Sequence, residues 1–157
     1  MYTMHRHSCP SKTARPGEPA VPFVTCPIHA AVSVLGKKWT LLILRDIALR
    51  NVTRFNRIRR ALPGLTPRVL TLRLQELEES GFIRARVIKE SPRVVEWELT
   101  EKGNDTIPIL MEFLAFGAKW HAQEVFADHR PRTVDDLYPT AAQAGRSRAG
   151  GESAAEG

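Results

Sequence analysis

Two stretches near the start of the chain have the apolar spacing of helices. Residues 26–36 place Ile28, Val32 and Leu35 three and four positions apart, which gives a single apolar stripe. Residues 38–50 are apolar on nearly all sides, as expected of a helix at the centre of a fold. The pattern therefore predicts an amphipathic helix followed by a buried one.

Residues 53–62 predict a short third helix that ends in a tight turn. Thr53 is its predicted N-cap, and the Pro63-Gly64 pair stops it. Three arginines lie away from its apolar face, at Arg54, Arg57 and Arg60.

The next helix, over Thr66–Gly81, has strong signals at both ends. Thr66 can cap the N-terminus, Pro67 suits the first helical position, and Gly81 suits the C-terminal stop. One face is an ordinary core stripe, made of Leu70, Leu74 and Leu77. The opposite face combines hydrogen-bonding groups, one cation and one apolar side chain, at Arg68, Thr71, Leu72 and Gln75.

After this helix the period changes from that of a helix to that of a strand. Residues 82–90 and 94–100 each alternate apolar and charged side chains, and Ser-Pro-Arg separates them. This arrangement predicts a hairpin with a short tip. Thr100 is then the predicted cap of a long last helix that reaches residue 126, in which Pro108 should produce a kink or a break.

Taken in order, these elements predict a mainly α protein with a small β-hairpin. The short third helix, the turn and the fourth helix form a helix-turn-helix, and the hairpin is the wing of a winged helix-turn-helix. Residues 25–128 are the predicted ordered domain. Residues 1–24 and 129–157 are predicted to be mostly disordered tails, because they offer little to bury.

The net charge of +6 is concentrated in one segment of the chain. Residues 54–93 hold ten Lys and Arg against four Glu, so this segment accounts for the whole excess. A localised basic excess favours a polyanion partner, either nucleic acid or an acidic membrane surface. No run of about 18 apolar residues predicts a membrane span, and no export pattern opens the chain, so we expect a cytoplasmic protein.

The fourth helix is the predicted recognition helix, because the major groove of double-stranded DNA admits one helix. Arg68 can reach guanine, Gln75 can pair with adenine, and Thr71 can bind a base edge or touch a thymine methyl group. Leu72 can add apolar contact with a base or pack on a neighbouring helix.

Other basic and polar residues are predicted to contact the DNA outside the base edges. The predicted backbone contacts are Arg54, Arg57, Arg60, Thr66 and Arg73. Arg73 can alternatively pair with Glu76 or another internal acid. At the wing tip, Ser91 and Arg93 can approach a minor groove, with Arg93 as the inserted cation.

Cysteine and histidine provide two weaker candidates for chemistry. Cys26 stands at a helix start, where the helix dipole lowers a thiol pKa, so it is either a redox sensor or a packing residue. His5, His7 and Cys9 lie close in sequence but supply too few ligands for a closed metal site. No nucleophile elbow or phosphate-binding glycine loop occurs, so neither an enzyme nor a cofactor is predicted.

Several motifs occur together in residues 26–125: Cys26-Pro27, Gly36-Lys37-Lys38-Trp39-Thr40, Arg54-Phe55, Leu70-Thr71 with Arg73-Leu74, and Leu99-Thr100 before Gly103. In these motifs the chain resembles the HxlR-type winged-helix regulators of bacteria, relatives of the MarR group. The resemblance implies a homodimeric transcription factor, repressor or activator, that reads an inverted repeat. Some such regulators respond to oxidants through a cysteine at the position of Cys26, and a small-molecule effector is also left open.

The same resemblance implies that the first and last helices form the dimer interface. The residues concerned are Ile28, Val32, Phe113, Leu114, Gly117 and Trp120. The alternative to a DNA-binding regulator is a winged-helix module that binds protein and has no specific DNA readout. The basic excess argues against that alternative.

Overall fold

The computed structural model describes residues 23–139, and the chain divides after Thr100 into two compact units. The first unit contains α1 (Pro27–Leu35), α2 (Thr40–Arg50), α3 (Phe55–Ala61), α4 (Pro67–Glu79), β1 (Ile83–Glu90) and β2 (Arg93–Leu99). The second contains α5 (Glu101–Asn104), α6 (Thr106–Trp120), α7 (Ala122–Val125) and α8 (Val134–Leu137). No helix among the described residues is long and apolar enough to cross a membrane. The predicted order of helices and hairpin is confirmed.

The core of the first unit lies between α2, α3 and α4. Ile43 and Leu44 on α2 and Ile58 on α3 are fully buried, which agrees with a central α2. The predicted stripe on α4 also faces this core, because Leu70, Leu74 and Leu77 are all buried. Burial of these apolar side chains stabilises the helix-turn-helix and fixes which face of α4 remains exposed.

A buried carboxylate lies near the end of α2. Asp46 is fully buried, and its Oδ1 accepts hydrogen bonds from Arg45 Nη2 at 2.6 Å and from Arg50 Nη1 at 3.1 Å. A buried carboxylate needs such charged donors, because desolvation alone strongly disfavours its ionised form. Asn51 then ends the helix in the left-handed region, with φ of 52°.

The signals at both ends of α4 act as predicted. Thr66 Oγ1 accepts a hydrogen bond from Val69 N at 3.3 Å, and Pro67 begins the helix. Gly81 follows the last turn with φ of 75°, a backbone conformation that favours glycine. The predicted cap of α3 is wrong: Arg54, and not Thr53, stands at the N-cap position.

Thr53 instead connects the helices to the wing. Its carbonyl oxygen accepts a hydrogen bond from Trp97 N of β2 at 2.9 Å. β1 and β2 are antiparallel, with Ala85 opposite Trp97 and an irregularity between Val87 and Lys89. The tip consists of Ser91 and Pro92, which are joined by a cis peptide bond. It is one residue shorter than predicted, because Arg93 already belongs to β2.

The alternating pattern of β1 does not correspond to a buried face. Only Ile83 at its start is buried, whereas the rest of the strand is exposed. The residues of β2 that follow Arg93 are partly exposed. Alternation correctly predicted strands, but a two-stranded wing has too few neighbours to cover one face.

The predicted long last helix is interrupted twice. α5 ends at Asn104, and α6 begins at Thr106 with Pro108 as its third residue. A proline ring clashes with the carbonyl group four residues earlier, here that of Asn104, so a continuous helix through Asp105 is disfavoured. A second interruption at His121 separates α6 from α7.

Ordered structure continues past the predicted boundary at residue 128. Arg132 pairs with Asp128 at 2.8 Å, and its backbone N donates to the Ala118 carbonyl oxygen of α6 at 3.3 Å. Thr133 and Asp136 then form a capping box that starts α8. Residues 1–22 and 140–157 lie outside the described part of the chain, and with them most of both predicted tails and the His5, His7 and Cys9 group.

Candidate nucleic-acid interface

The outer face of α4 is open to solvent. Arg68, Thr71, Leu72 and Gln75 are all exposed, opposite the buried leucines. Leu72 is 47% exposed, so about half of its surface is accessible for contact with a base. Thr71 Oγ1 donates to the Pro67 carbonyl oxygen at 3.0 Å, which leaves the lone pairs of the hydroxyl to accept a further bond. The face therefore presents donors, acceptors and one apolar group.

Arg73 lies on the flank of α4 and not on its outer face. Its side chain is 17% exposed. Nε donates to the Lys38 carbonyl oxygen at 3.1 Å, and Nη1 donates to Glu76 Oε2 at 2.5 Å. Arg73 thus forms the alternative predicted pair with Glu76, and a contact with the DNA backbone would have to compete with Glu76 and the Lys38 carbonyl oxygen.

Glu76 accepts from two cations at once. Lys37 Nζ lies 2.9 Å from Glu76 Oε1, while Arg73 occupies Oε2. The hydrogen bond from Lys37, followed by that from Arg73, holds the pKa of Glu76 below its ordinary value. Since the carboxylate is already neutralised by these partners, it adds little repulsion toward a polyanion beside the helix.

The arginines of α3 differ in their surroundings. Arg57 and Arg60 are exposed, and Arg60 Nε donates to the Asn56 carbonyl oxygen at 3.2 Å. Arg54 is exposed too, but its Nε lies 2.9 Å from Glu96 Oε1 on the wing. A phosphate contact by Arg54 would therefore have to displace Glu96, whereas Arg57 forms no ion pair within the described residues.

The two strands of the wing pair their charges across the ladder. Arg84 is opposite Glu98, and their Nε and Oε1 atoms are 2.5 Å apart. Arg86 is opposite Glu96, with 3.6 Å between Nη2 and Oε2. Such cross-strand pairs stabilise a hairpin and reduce its net positive charge. At the tip, Ser91 and Arg93 are exposed, as the wing prediction requires.

Glu96 and Lys37 are parts of this region that the sequence analysis did not identify. An alternating hairpin pattern puts Glu96 opposite an arginine, so the cross-strand pair could have been inferred from register. The bond from Lys37 to α4 joins residues 39 positions apart and leaves no local pattern.

Cys26 is at the N-cap position of α1 and is partly exposed. Its carbonyl oxygen accepts from Ala30 N at 3.0 Å, which confirms that a helix starts here. His29, one turn along, is exposed. No group of three or more possible metal ligands occurs among residues 23–139.

Two helices keep large apolar side chains in solvent. On α1, Ile28 is 69% and Val32 is 54% exposed. On α6, Phe113 is 59% and Trp120 is 66% exposed, and Leu114 and Gly117 are partly exposed. Exposed apolar faces of this kind are typical of interaction sites for proteins, membranes or ligands.

Comparison with known proteins places the chain among regulators. The model of the family described as HxlR-like helix-turn-helix matches residues 34–125. The HTH-type transcriptional regulator YvaP of Bacillus subtilis is 42% identical over 96 residues, which are 60% of this chain and 88% of YvaP. An HTH-type transcriptional regulator of Synechocystis is 38% identical over 99 residues, 63% of this chain and 73% of that protein.

Solved structures agree with the sequence relatives. The redox regulator HypR in its reduced form aligns with a TM-score of 0.56 and 30% identity, over 67% of this chain and all of HypR. A MarR-family transcriptional regulator of Porphyromonas gingivalis aligns with a TM-score of 0.56 and 32% identity, over 63% of this chain and 96% of that one. With its winged helix-turn-helix and the family match over more than half of its length, the chain belongs to the HxlR-like helix-turn-helix family of transcriptional regulators.

Proposed function

We propose that the protein regulates transcription as a homodimer that binds an inverted repeat in double-stranded DNA. The observation that carries the proposal is the outer face of α4, where Arg68, Thr71 and Gln75 are exposed beside Leu72. Arginine and glutamine can each make two hydrogen bonds to one base, guanine and adenine respectively. A face built in this way suits a major groove better than a protein surface.

The surroundings of α4 favour DNA as the partner. Arg57 and Arg60 on α3 and Arg93 on the wing are exposed, so cations stand on two neighbouring elements. Phosphate contacts from such elements fix the register of a recognition helix, while base contacts supply specificity. Thr66 and the first turn of α4 add backbone N–H groups, which favour a phosphate at the helix N-terminus.

The proposal of a dimer rests on α6 and α1. Ile109, Phe113, Phe116 and Trp120 on α6 are all at least 40% exposed and are spaced four, three and four residues apart. At 100° per residue these four side chains share one face, which is the pattern of a helix that pairs with another apolar surface. Ile28 and Val32 give α1 a similar exposed face.

A two-fold dimer carries two recognition helices, and the DNA sequence it reads then repeats in inverted order. For helix-turn-helix dimers the half-sites lie about one helical turn, or roughly 34 Å, apart. Each copy would place one α4 in a major groove and one wing tip, with Ser91 and Arg93, toward the flanking minor groove.

An oxidant response through Cys26 is a second element of the proposal. HypR is named a redox regulator, and its alignment covers 67% of this chain. Cys26 starts α1, whose apolar face is part of the proposed dimer interface. Oxidation there would change how the two copies meet, and with it the spacing of their recognition helices. A packing role for Cys26 is the alternative.

Fluorescence anisotropy tests the function directly. The full chain is titrated onto labelled DNA from upstream of its own gene and onto a scrambled duplex, at low and physiological salt. Tight binding that weakens with salt and prefers the upstream duplex is expected, because phosphate contacts release counterions and base contacts discriminate.

Failure of this test has a defined meaning. If neither duplex binds at low salt, and selection from a random DNA pool enriches no sequence, the proposal of DNA readout is wrong. The winged-helix domain would then serve protein interaction, which depends much less on salt.

A further inference from the structure

The segment between α1 and α2 contacts the helix-turn-helix at several points. Lys37 Nζ bonds to Glu76 of α4, and the Lys38 carbonyl oxygen accepts from Arg73 Nε of α4. The outer indole carbons of Trp39 lie within 3.8 Å of the point where a Cβ on Gly64 would stand. The same four-residue segment, Gly36–Trp39, thus contacts α4 and lies close to the turn that precedes it.

The segment itself has little conformational freedom. A Cβ on Gly36 would stand 2.7 Å from both Val32 Cγ1 and the Val32 carbonyl oxygen, so only glycine fits against the last turn of α1. Trp39 adopts φ of 79°, a left-handed conformation that is costly for a bulky residue. Strain of this kind persists only where the surroundings hold the backbone in place.

Different forces fix different aspects of the position of α4. The leucine stripe attracts α4 to the core, but apolar attraction has no direction and tolerates a small roll of the helix. The bonds from Arg73 and Lys37 are directional and weaken steeply with misalignment. Side chains that read bases must be held within about 0.5 Å and 10–20° of their working geometry. The flank contacts therefore add a directional constraint on the roll of α4 to the packing of its core stripe.

We propose that Lys37, Arg73 and Glu76 are positioning residues for DNA recognition, which set the angle of α4 and touch no base themselves. The three side chains form one network: Glu76 bridges the ammonium of Lys37 and the guanidinium of Arg73, which in turn holds the backbone of Lys38. The inference rests on the proposed DNA-binding function. It makes this network responsible for the accuracy with which α4 is placed against the bases.

The test separates recognition from simple attraction to DNA. Phosphate attraction is independent of sequence and tolerates a small rotation of α4, whereas base readout does not. In Glu76→Gln the network loses its bridging carboxylate. We expect its affinity for the duplex preferred by the wild type to fall about tenfold, the size of coupling found between contacting residues. Its affinity for scrambled DNA should stay level or rise, because one negative charge is gone.

Glu79→Gln is the matched control. Glu79 is exposed on the same helix and forms no ion pair within the described residues. The Glu79→Gln variant removes the same charge and should keep the wild-type preference for the specific duplex. Circular dichroism melting of both variants checks that the fold is retained.

A double-mutant cycle with Lys37→Met then tests whether the residues act through one another. In a single network, the double variant Lys37→Met with Glu76→Gln should lose little more preference than the stronger single variant. Additive losses would overturn the inference, as would an equal loss for both duplexes in Lys37→Met, which would make Lys37 a phosphate contact. A Glu76→Gln protein with wild-type preference would also overturn it. A wild type that shows no preference at all would overturn the proposed function itself, together with this inference.

Discussion

Arg54 Nε lies 2.9 Å from Glu96 Oε1, so a residue at the start of α3 is bonded to the middle of the wing. Arg86 Nη2 approaches the other oxygen of Glu96 at 3.6 Å. One carboxylate therefore holds two arginines that belong to the segment with the basic excess, residues 54–93. Any phosphate that binds either arginine has to compete with Glu96.

Replacing that carboxylate should strengthen general attraction to DNA. In Glu96→Gln, Arg54 and Arg86 lose an anionic partner and become available to phosphate. We expect tighter binding of scrambled DNA and a plot of log affinity against log salt that is steeper by up to about one unit. Anisotropy titrations across a salt series measure both quantities. Glu79→Gln is the charge control, and an equal steepening in it would show that the Arg54 pair does not limit DNA binding.

Arg68→Ala should reduce specific recognition. Arg68 is exposed on the outer face of α4 and forms no ion pair within the described residues. The loss of a two-bond contact to guanine should cost about 1–3 kcal/mol on the preferred duplex and relax specificity at one position. Titrations with single-base variants of that duplex locate the position. Equal weakening on preferred and scrambled DNA would mean that Arg68 contacts phosphate instead.

Arg57→Ala should weaken all DNA sequences alike. Arg57 lies on α3 and is exposed, so we expect it to contact one phosphate and no base. The salt dependence should become shallower by about one unit while the preference for the specific duplex is kept. Arg130→Ala removes one positive charge from an exposed residue outside the helix-turn-helix and should leave the slope unchanged. A change in preference would place Arg57 at a base edge.

Phe113→Ser should shift the protein from dimer to monomer. The side chain is 59% exposed on an apolar face of α6. Because serine replaces the aromatic ring with a small hydroxyl group, the variant loses most of the apolar area that a partner could cover at this position. Sedimentation velocity over a range of protein concentrations measures the change. Glu112→Ser, at an exposed polar neighbour on the same helix, should leave the dimer intact. Unchanged dimerisation in Phe113→Ser would exclude this face as the interface.

Cys26→Ser tests the oxidant response. If Cys26 is the sensor, treatment of the wild type with peroxide or diamide should change its affinity for the preferred duplex, and the variant should no longer respond. Anisotropy before and after treatment, with reduction by dithiothreitol as the reversal control, measures the effect. The same response in both proteins would assign Cys26 a packing role.

Local sequence signals were sufficient for the elements that position the site. Thr66, Pro67 and Gly81 bound α4 through interactions within a few residues, so cap and stop chemistry could be identified directly. The leucine stripe likewise showed which face would be exposed. Pro108 indicated a break in the last helix, although the break falls three residues earlier, at Asp105, because the ring clashes with the preceding turn.

Long-range contacts account for what the sequence did not reveal. Thr53 looked like a helix cap, but its carbonyl group pairs with Trp97, 44 positions away, and this tertiary bond displaces the local preference. Arg73 carries a positive charge at a position where a phosphate contact was predicted. Its guanidinium instead donates hydrogen bonds to the Lys38 carbonyl oxygen and to the carboxylate of Glu76. Lys38 is 35 positions away and is not visible from the neighbourhood of Arg73 in sequence, whereas Glu76 lies three residues along α4 and was the alternative predicted partner.

The open edge of the wing has a consequence for solubility. β2 is bonded to β1 on one side and to Thr53 on the other, whereas the outer edge of β1 has no strand beside it among the described residues. An exposed edge of eight residues invites another strand to add to it. Arg84, Arg86 and Lys89 put positive charges along this strand, and the irregularity beside Val87 interrupts its regular ladder. Charged side chains and an irregularity on an edge strand disfavour the addition of a second strand, so these features protect the wing from edge-to-edge aggregation.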